Sequence, residues 1–355
     1  MKNNKNNNLL QNSFIKNFAI NNTIKWERYQ ANEGGTFDIN DINDESRLDA
    51  YNQEVKKDII TLEQQGLQVV NKIVQETNEN EKIKLTRQEA VTLKFFSLLL
   101  GVESSDKKDS QEAQLTSILK YFKQFTKTGS ISVQKDYYGS MEPNPFEMKV
   151  EDLSGNDAEW DEWTKRNVTD KTQALMKVWE TIQTRMLIFK FDEPKLLLQE
   201  SINFKEKNQN GSTKYTFMPI ASNIGILFFV DATTSGEQNK EENSIFFEND
   251  ITKIKNETIY KNAELIKQKQ KEYIEEKEVP NKEEEEYQKG LFLLFEASNY
   301  YSKEDIFVFD VLKENSRIAD VWNAKALIES NSKVLIYQDE KHIKEAEKQV
   351  SKISK

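Results

Sequence analysis

Apolar residues recur at helical spacing in three early stretches of the chain and run together without alternation in a later one. Over residues 51–76, Val55, Ile59, Leu62, Leu67, Val70, Ile73 and Val74 approximate a 3.6-residue period, which predicts an amphipathic helix. A second helix is predicted over 86–100, with Ala90, Leu93, Phe96, Ser97 and Leu100 along one side and Gly101 as its stop. Thr86 and Glu89 have the spacing of a capping box: the hydroxyl accepts from the amide three residues on, and the carboxylate reaches back. A third helix over 110–126 carries Leu115, Ile118, Leu119, Phe122 and Phe125.

The densest apolar sequence is KYTFMPIASNIGILFFV, residues 214–230. Aromatic and β-branched residues suit a pleated surface, so this stretch predicts two strands around a turn at Ser222-Asn223. Ile224 to Val230 are apolar without alternation, which predicts a strand covered on both faces. Pro219 lacks a ladder donor and suits a strand end or an edge. Upstream, RMLIFKFDEPKLLLQ (185–199) predicts strand, turn and strand around Asp192-Glu193-Pro194, and Asn210-Gly211 marks a hairpin loop. Residues 184–231 are thus expected to form a small antiparallel sheet.

The flanks are more polar. Residues 9–19 form a helix-like apolar face and 23–29 an alternating strand with Ile24 and Trp26 on one side. Gly34-Gly35 and an acidic stretch follow. A short strand is predicted over 130–138, then Trp160 and Trp163 at i, i+3, then a helix over 169–182. Residues 250–277 have the character of a long helix, which 282–299 resumes after Pro280, its run of glutamates at 283–286 suiting a solvated first turn. Residues 306–312 read as a strand or the start of a helix, 319–329 as a helix, and 333–337 as a strand or buried turn. The last fifteen read as a polar helix or tail. The expected organisation is a disordered N-terminus (1–8), an α+β core (9–231), a loop (232–249) and a helix-rich C-terminal region (250–355). The fold class is α+β, with helical layers packed on a small antiparallel sheet.

Composition narrows the chemistry. The 355 residues include 37% hydrophobic and 31% charged, yet 20 Phe, 12 Tyr and 5 Trp provide material for packed cores. The surplus of Asn, Lys and Ile is that of an AT-rich coding sequence. Without cysteine there are no disulfides, thiolate metal sites or cysteine nucleophiles, and a reducing cytoplasm is compatible. The single histidine, His342, lies in DEKHIKEAEK and is expected on the exposed face of a helix. A net charge of −10 opposes broad nucleic-acid binding, which rests on Lys and Arg neutralising phosphates. The N-terminal MKNNKNNNLL lacks the apolar core of a signal peptide, and no stretch qualifies as transmembrane, so a cytoplasmic protein is expected. No phosphate-binding loop, dinucleotide fingerprint, zincin helix, nucleophile elbow or calcium loop is found in the sequence.

Two spaced pieces, LLQNSFIKNFA with TIKWERY (9–19 and 23–29) and FMPIASNIGILFF (217–229), resemble the bacterial domain-of-unknown-function family numbered 4238. The resemblance spans roughly 9–231 and implies no established activity. Aligned on those pieces, the family's histidine falls at Asn8 and its proline at Gln11; its first acidic residue is kept as Glu63, and its later aspartate corresponds to Glu200. Its arginine has no obvious counterpart, although Glu103 stands close by. The resemblance implies a diverged or non-catalytic member, or chemistry that uses carboxylates alone.

Three functions are compatible with these residues. A metal-dependent phosphodiesterase or nuclease, acting in defence against foreign DNA, would draw on Glu63, Glu200 and Asp192 as oxygen ligands for Mg²⁺, with Asn8 beside them. No cofactor is expected otherwise. In the simpler reading Glu63 is an exposed helix flank, Glu200 an outward strand position and Asp192 a turn residue. A nucleic-acid binder would use Lys120, Lys123 and Lys127 with Tyr121 and Phe122, a pattern that equally describes a helix with a wet basic face and a dry aromatic one. The favoured expectation is a partner-binding protein whose acidic surface suits a basic protein partner, with Trp160 and Trp163 as either exposed contacts or core.

Overall fold

The computed structural model describes residues 12–29, 33–39, 51–102, 108–129, 177–178, 181–182, 184–199, 204–207, 213–229, 257–259, 261–277, 280–292, 297–314, 316–330 and 334–353. The expected disordered N-terminus, the strand at 130–138, Trp160, Trp163, most of the helix at 169–182 and the loop at 232–249 lie outside them. The described elements run β1 (Thr23–Arg28), β2 (Glu33–Asp38), α1 (Gln53–Glu79), β3 (Lys82–Thr86), α2 (Arg87–Val102), α3 (Lys108–Thr128), β4 (Arg185–Phe191), β5 (Leu198–Gln199), β6 (Phe204–Lys207), β7 (Thr213–Ala221) and β8 (Ile224–Phe229). Then follow β9 (Glu257–Ile259), α4 (Ala263–Glu276), α5 (Lys282–Leu291), β10 (Ile306–Glu314), α6 (Ser316–Ser330), β11 (Val334–Tyr337) and α7 (Glu340–Ile353). The fold is α+β. No described helix is long and apolar enough to cross a membrane.

Helices α1 to α3 form one layer. The capping box closes as its sequence predicts: Glu89 N donates to Thr86 Oγ1 at 3.1 Å and Thr86 N to Glu89 Oε2 at 2.7 Å. Glycine inside a helix costs about 1 kcal/mol relative to alanine, and Gly66 of α1 has a packing reason. A Cβ there would lie 2.3 Å from the Phe96 ring of α2, so the bare backbone permits the close crossing.

The layer packs on a seven-stranded sheet in the order β3-β10-β4-β8-β7-β6, with β9 also paired to β10. β4, β8, β7 and β6 are antiparallel as expected, but β10 adds a parallel pairing to β4 through Val311↔Ile188 and an antiparallel one to β3. Alternate side chains divide between two cores. Met186, Ile188, Met218, Ile226 and Phe228 face the helical layer, whereas Leu187, Phe189, Phe217, Leu227 and Phe229 face α6. Trp322 of α6 stacks on Phe217 at 3.8 Å and meets Phe189 edge-on at 5.1 Å. The uniform apolar run of β8 follows from this double cover. Pro219 lies near the end of β7, at a register shift and beyond Phe217, the last residue paired with β6 among the described residues.

A second sheet, in the order β2-β1-β11-β5, joins distant parts of the chain. Before it, Asn21 (φ 50°) and Asn22 (φ 61°) make a tight turn whose two left-handed residues match the twist of the paired backbone at Ile20 and Thr23. Two helices differ from expectation. Residues 257–259 pair with β10 as β9, and helix α4 starts only at Ala263. The helix predicted over 282–299 ends as α5 at Leu291, with a 3-10 turn at Ala297–Tyr300. In β9, tertiary strand pairing overrides the local helical period. Asn281 caps α5 by accepting from Glu284 N, and Glu283, Glu284 and Glu285 occupy the first turn, as the dipole argument predicts.

Candidate functional site

The surface with most chemical content lies around α7, which crosses one face of the second sheet. Register fixes what that face presents. Lys25 pairs with Tyr337 and Thr36, and Glu27 with Leu335 and Gly34, so these side chains share the face toward α7. Ile24 and Trp26 point the other way, into the main core. Ile343 and Ala346 anchor α7 on Leu335, Tyr337, Leu197 and Leu327, a cluster separate from the main core.

One flank of α7 is closed and polar. Lys195, ahead of β5, is buried and reaches Asp320 of α6 at 2.7 Å and Glu345 of α7 at 3.1 Å. Burial disfavours its charge, but the two carboxylates outweigh that and hold its pKa above the usual lysine value. Asn323 of α6 mimics a peptide: its Oδ1 accepts from Leu197 N at 2.9 Å and its Nδ2 donates to Lys195 O at 2.8 Å. Gln199 pairs with Leu335 and so faces the same layer. It is 2% exposed, and its amide has no hydrogen-bond partner among the described residues.

His342 belongs to this flank, which corrects the expectation of an exposed histidine: it is 4% exposed. It neighbours Ile343 and lies one turn from Ala346, so it is carried onto the buried side of a helix that otherwise reads as charged. Burial, with Lys341 and Lys195 nearby, depresses its pKa below 6.5, against the pull of Asp339 and Glu345.

The other flank opens into a cleft of about 390 Å³ between α7 and the β1–β2 hairpin. Lys25, Glu27, Arg28, Tyr337 and Glu340 wall it, and Glu33, Gly34, Gly35 and Thr36 contribute the β2 side. Gly34 has a structural reason within the strand, because a Cβ there would meet Trp26 O at 2.9 Å. Burial, then Glu347 and Glu340, raise the pKa of Glu27. Burial, with Glu27 and Glu340, raises that of Tyr337; burial and a hydrogen bond to Glu347 raise that of Tyr29. Three carboxylates, Glu27, Glu33 and Glu340, thus line the cleft beside two cations, Lys25 and Arg28, with Glu347 acting on Glu27 from outside the lining. Among the described residues no cation forms an ion pair with Glu27, Glu340 or Glu347, whereas Arg28 at the hairpin end is held by Glu33 at 3.0 Å. β2 ends the sheet, so its outer edge has no partner strand among the described residues.

The candidates from sequence are distributed differently. Glu63 is 2% exposed in α1, not an exposed flank, and lies three residues before Gly66 in the helix seam. Asp192 is an exposed turn residue after β4. Lys190 Nζ donates to Thr77 O and Asn78 Oδ1, which pins the end of β4 at the far end of α1. Fourteen residues of helix separate Glu63 from Thr77, roughly 21 Å, so Glu63 and Asp192 do not share a site. Asn8, Glu200 and Glu103 lie outside the described residues. Among the described residues no group of three or more acidic or imidazole side chains could hold a metal ion.

On α3, Tyr121 and Phe122 are buried, and Lys123 is paired with Asp58 at 2.5 Å and Glu54 at 3.3 Å. That is the wet-and-dry helix, with its central lysine neutralised. The sequence held one usable sign of the cleft: the alternation of 23–29 places Lys25, Glu27 and Tyr29 together on the face opposite Ile24 and Trp26. The participation of β2 was hidden because Gly34-Gly35 reads as a break.

Compared with known proteins, the chain matches no family model, no curated protein and no solved structure.

Proposed function

We propose that this chain is a partner-binding protein and that the cleft beside β2 receives an extended, basic segment of another protein. The observation that carries the reading is the coincidence of a strand edge without a partner among the described residues and a cleft in which Glu27 and Glu340 have no ion pair among them. The β2 backbone offers hydrogen bonds to an added strand, and Glu27 and Glu340 of the cleft lining offer charge to a lysine or arginine on it. A cation seated there favours the ionised form of Glu27, whose pKa is raised first by burial and then by Glu347 and Glu340, so affinity rises with pH through that pKa.

The test is fluorescence anisotropy with a labelled peptide of alternating lysine and valine, beside its glutamate counterpart. Binding of the basic peptide alone is expected, weakened at least about fivefold in the double variant Glu27→Gln/Glu340→Gln and accompanied by amide protection of residues 33–38. Equal binding of both peptides, or indifference to the double substitution, sinks the reading. The metal-dependent nuclease alternative draws no support from a described site.

The resemblance to the uncharacterised family enters here as a second proposal, that residues 9–231 are a diverged member. It is supported by contact between the two pieces that carry it: Ser222 N donates to Asn17 O at 3.3 Å. A structure of a family member in which the equivalent pieces lie apart would overturn it.

A further inference from the structure

We propose, resting on the reading of the cleft as a docking site, that the β2 edge selects two neighbouring residues of the partner strand: a long cation laid over Gly34 on the α7 face, and an aromatic side chain laid over Gly35 on the opposite face. Register carries this. Directly opposed residues of an antiparallel pair point to the same face, and successive residues alternate. Gly34 lies opposite Glu27, and Gly35 opposite Trp26. Glu27 lines the cleft, whereas Trp26 is half-buried against the main core on the other face.

The α7 face selects by charge and by length. A strand added to β2 lies two strand spacings from β1, roughly 10 Å. Gly34 lines the cleft and has no side chain to fill that span. A lysine or arginine opposite Gly34 crosses it to the Glu27 carboxylate, its apolar stem lying over the glycine backbone and its charge in the cleft, which Glu340 also lines. A shorter cation stops above the glycine. The neighbouring row differs. Lys25 stands opposite Thr36 there, so a side chain occupies the span and a cation already holds its far end. The partner's cation is thereby confined to the Gly34 row.

The opposite face selects by shape. Gly35 is exposed, and a Cβ there would lie 3.7 Å from Trp26 Nε1, an ordinary contact distance. The bare glycine therefore leaves the indole within reach of a side chain from the edge. An aromatic ring opposite Gly35 covers the glycine and packs on Trp26, with half-buried Phe37 next on the same face. Because Gly34 and Gly35 are consecutive and strand side chains alternate in face, the cation and the ring fall on consecutive residues of the partner.

The experiment is fluorescence anisotropy of the full chain with a labelled threonine-rich peptide that carries adjacent lysine and phenylalanine at its centre. Two relatives accompany it: one with the lysine shortened to diaminobutyrate, which keeps the charge, and one with the phenylalanine replaced by threonine. Shortening the cation is expected to weaken binding at least about threefold in the unaltered chain and to make no difference in Glu27→Gln. Loss of the ring is expected to weaken binding at least about threefold in the unaltered chain and to make no difference in Gly35→Val, whose side chain takes the place of the ring. Equal affinity for the lysine and diaminobutyrate peptides, or a ring effect that survives Gly35→Val, overturns the proposal and leaves the reading of the cleft standing. A length effect that survives Glu27→Gln does the same. Failure of all three peptides to bind overturns both. The comparisons among peptides on the unaltered chain need no variant, so they stand even where a substitution disturbs folding.

Discussion

The two flanks of α7 present glutamates to the same sheet in opposite settings. Glu345 meets the buried Lys195 at 3.1 Å, with Asp320 completing the pair of acceptors. On the other flank the pKa of Glu27 is raised by burial first and then by Glu347 and Glu340. One flank spends its carboxylates on holding the helix down; the other leaves Glu27 and Glu340 without an ion pair among the described residues. The difference teaches that the acidity of this chain is not uniform surface solvation. Where a cation is enclosed the charge is structural, and where none is enclosed a binding partner can supply it.

Breaking the closed flank should have the largest effect. Lys195→Met leaves two carboxylates around a position without its cation and is expected to cost about 3–5 kcal/mol, read as a lower urea midpoint. Adding Asp320→Leu and Glu345→Leu should recover most of that loss, since the cost lies in the unpaired charge. Asn323→Ala comes next: it strands the Leu197 N–H and the Lys195 carbonyl and is expected to cost roughly 2–4 kcal/mol in the same measurement.

Titration separates the flanks by sign. For His342, whose folded pKa is lowered, stability is complete above 6.5 and is lost as pH falls below it. For Glu27, whose folded pKa is raised above 4.5, the contribution is favourable below 4.5 and is lost as pH rises through the raised value. Urea midpoints followed from pH 4 to 8 should show the first slope disappear in His342→Asn and the second shrink in Glu27→Gln. The smallest effect belongs to the open flank. Glu340→Gln with Glu347→Gln should change stability by no more than about 0.5 kcal/mol, yet lower the Glu27 pKa in a carboxyl-carbon NMR titration. A large loss of stability there would mean that the open flank is structural too.

Much of this architecture was legible before the structure. The capping box at Thr86 and Glu89 closed as its spacing required, and the unbroken apolar run of Ile224 to Val230 announced a strand between two layers, because both signals depend on neighbours a few residues away or on uniform burial. The strand β3 could have been read from Ile83 and Leu85, but its five residues are shadowed by long helices on either side. His342 was legible only as part of a charged helix. Its burial depends on which stripe of α7 meets β11, and that stripe is short of apolar residues.

By itself, the amino-acid sequence determined the α+β class, the helical layer, the doubly covered strand and the exclusion of cysteine chemistry, since each follows from local period or from composition. Tertiary structure alone decided that β10 would enter the main sheet beside β4, that β11 would bridge β1 and β5, and that Lys195, Asp320, Glu345 and His342 would meet. Those encounters join residues far apart in the chain. Strand partners are chosen by which edges remain free once the layers have packed, and local pattern carries no record of that choice.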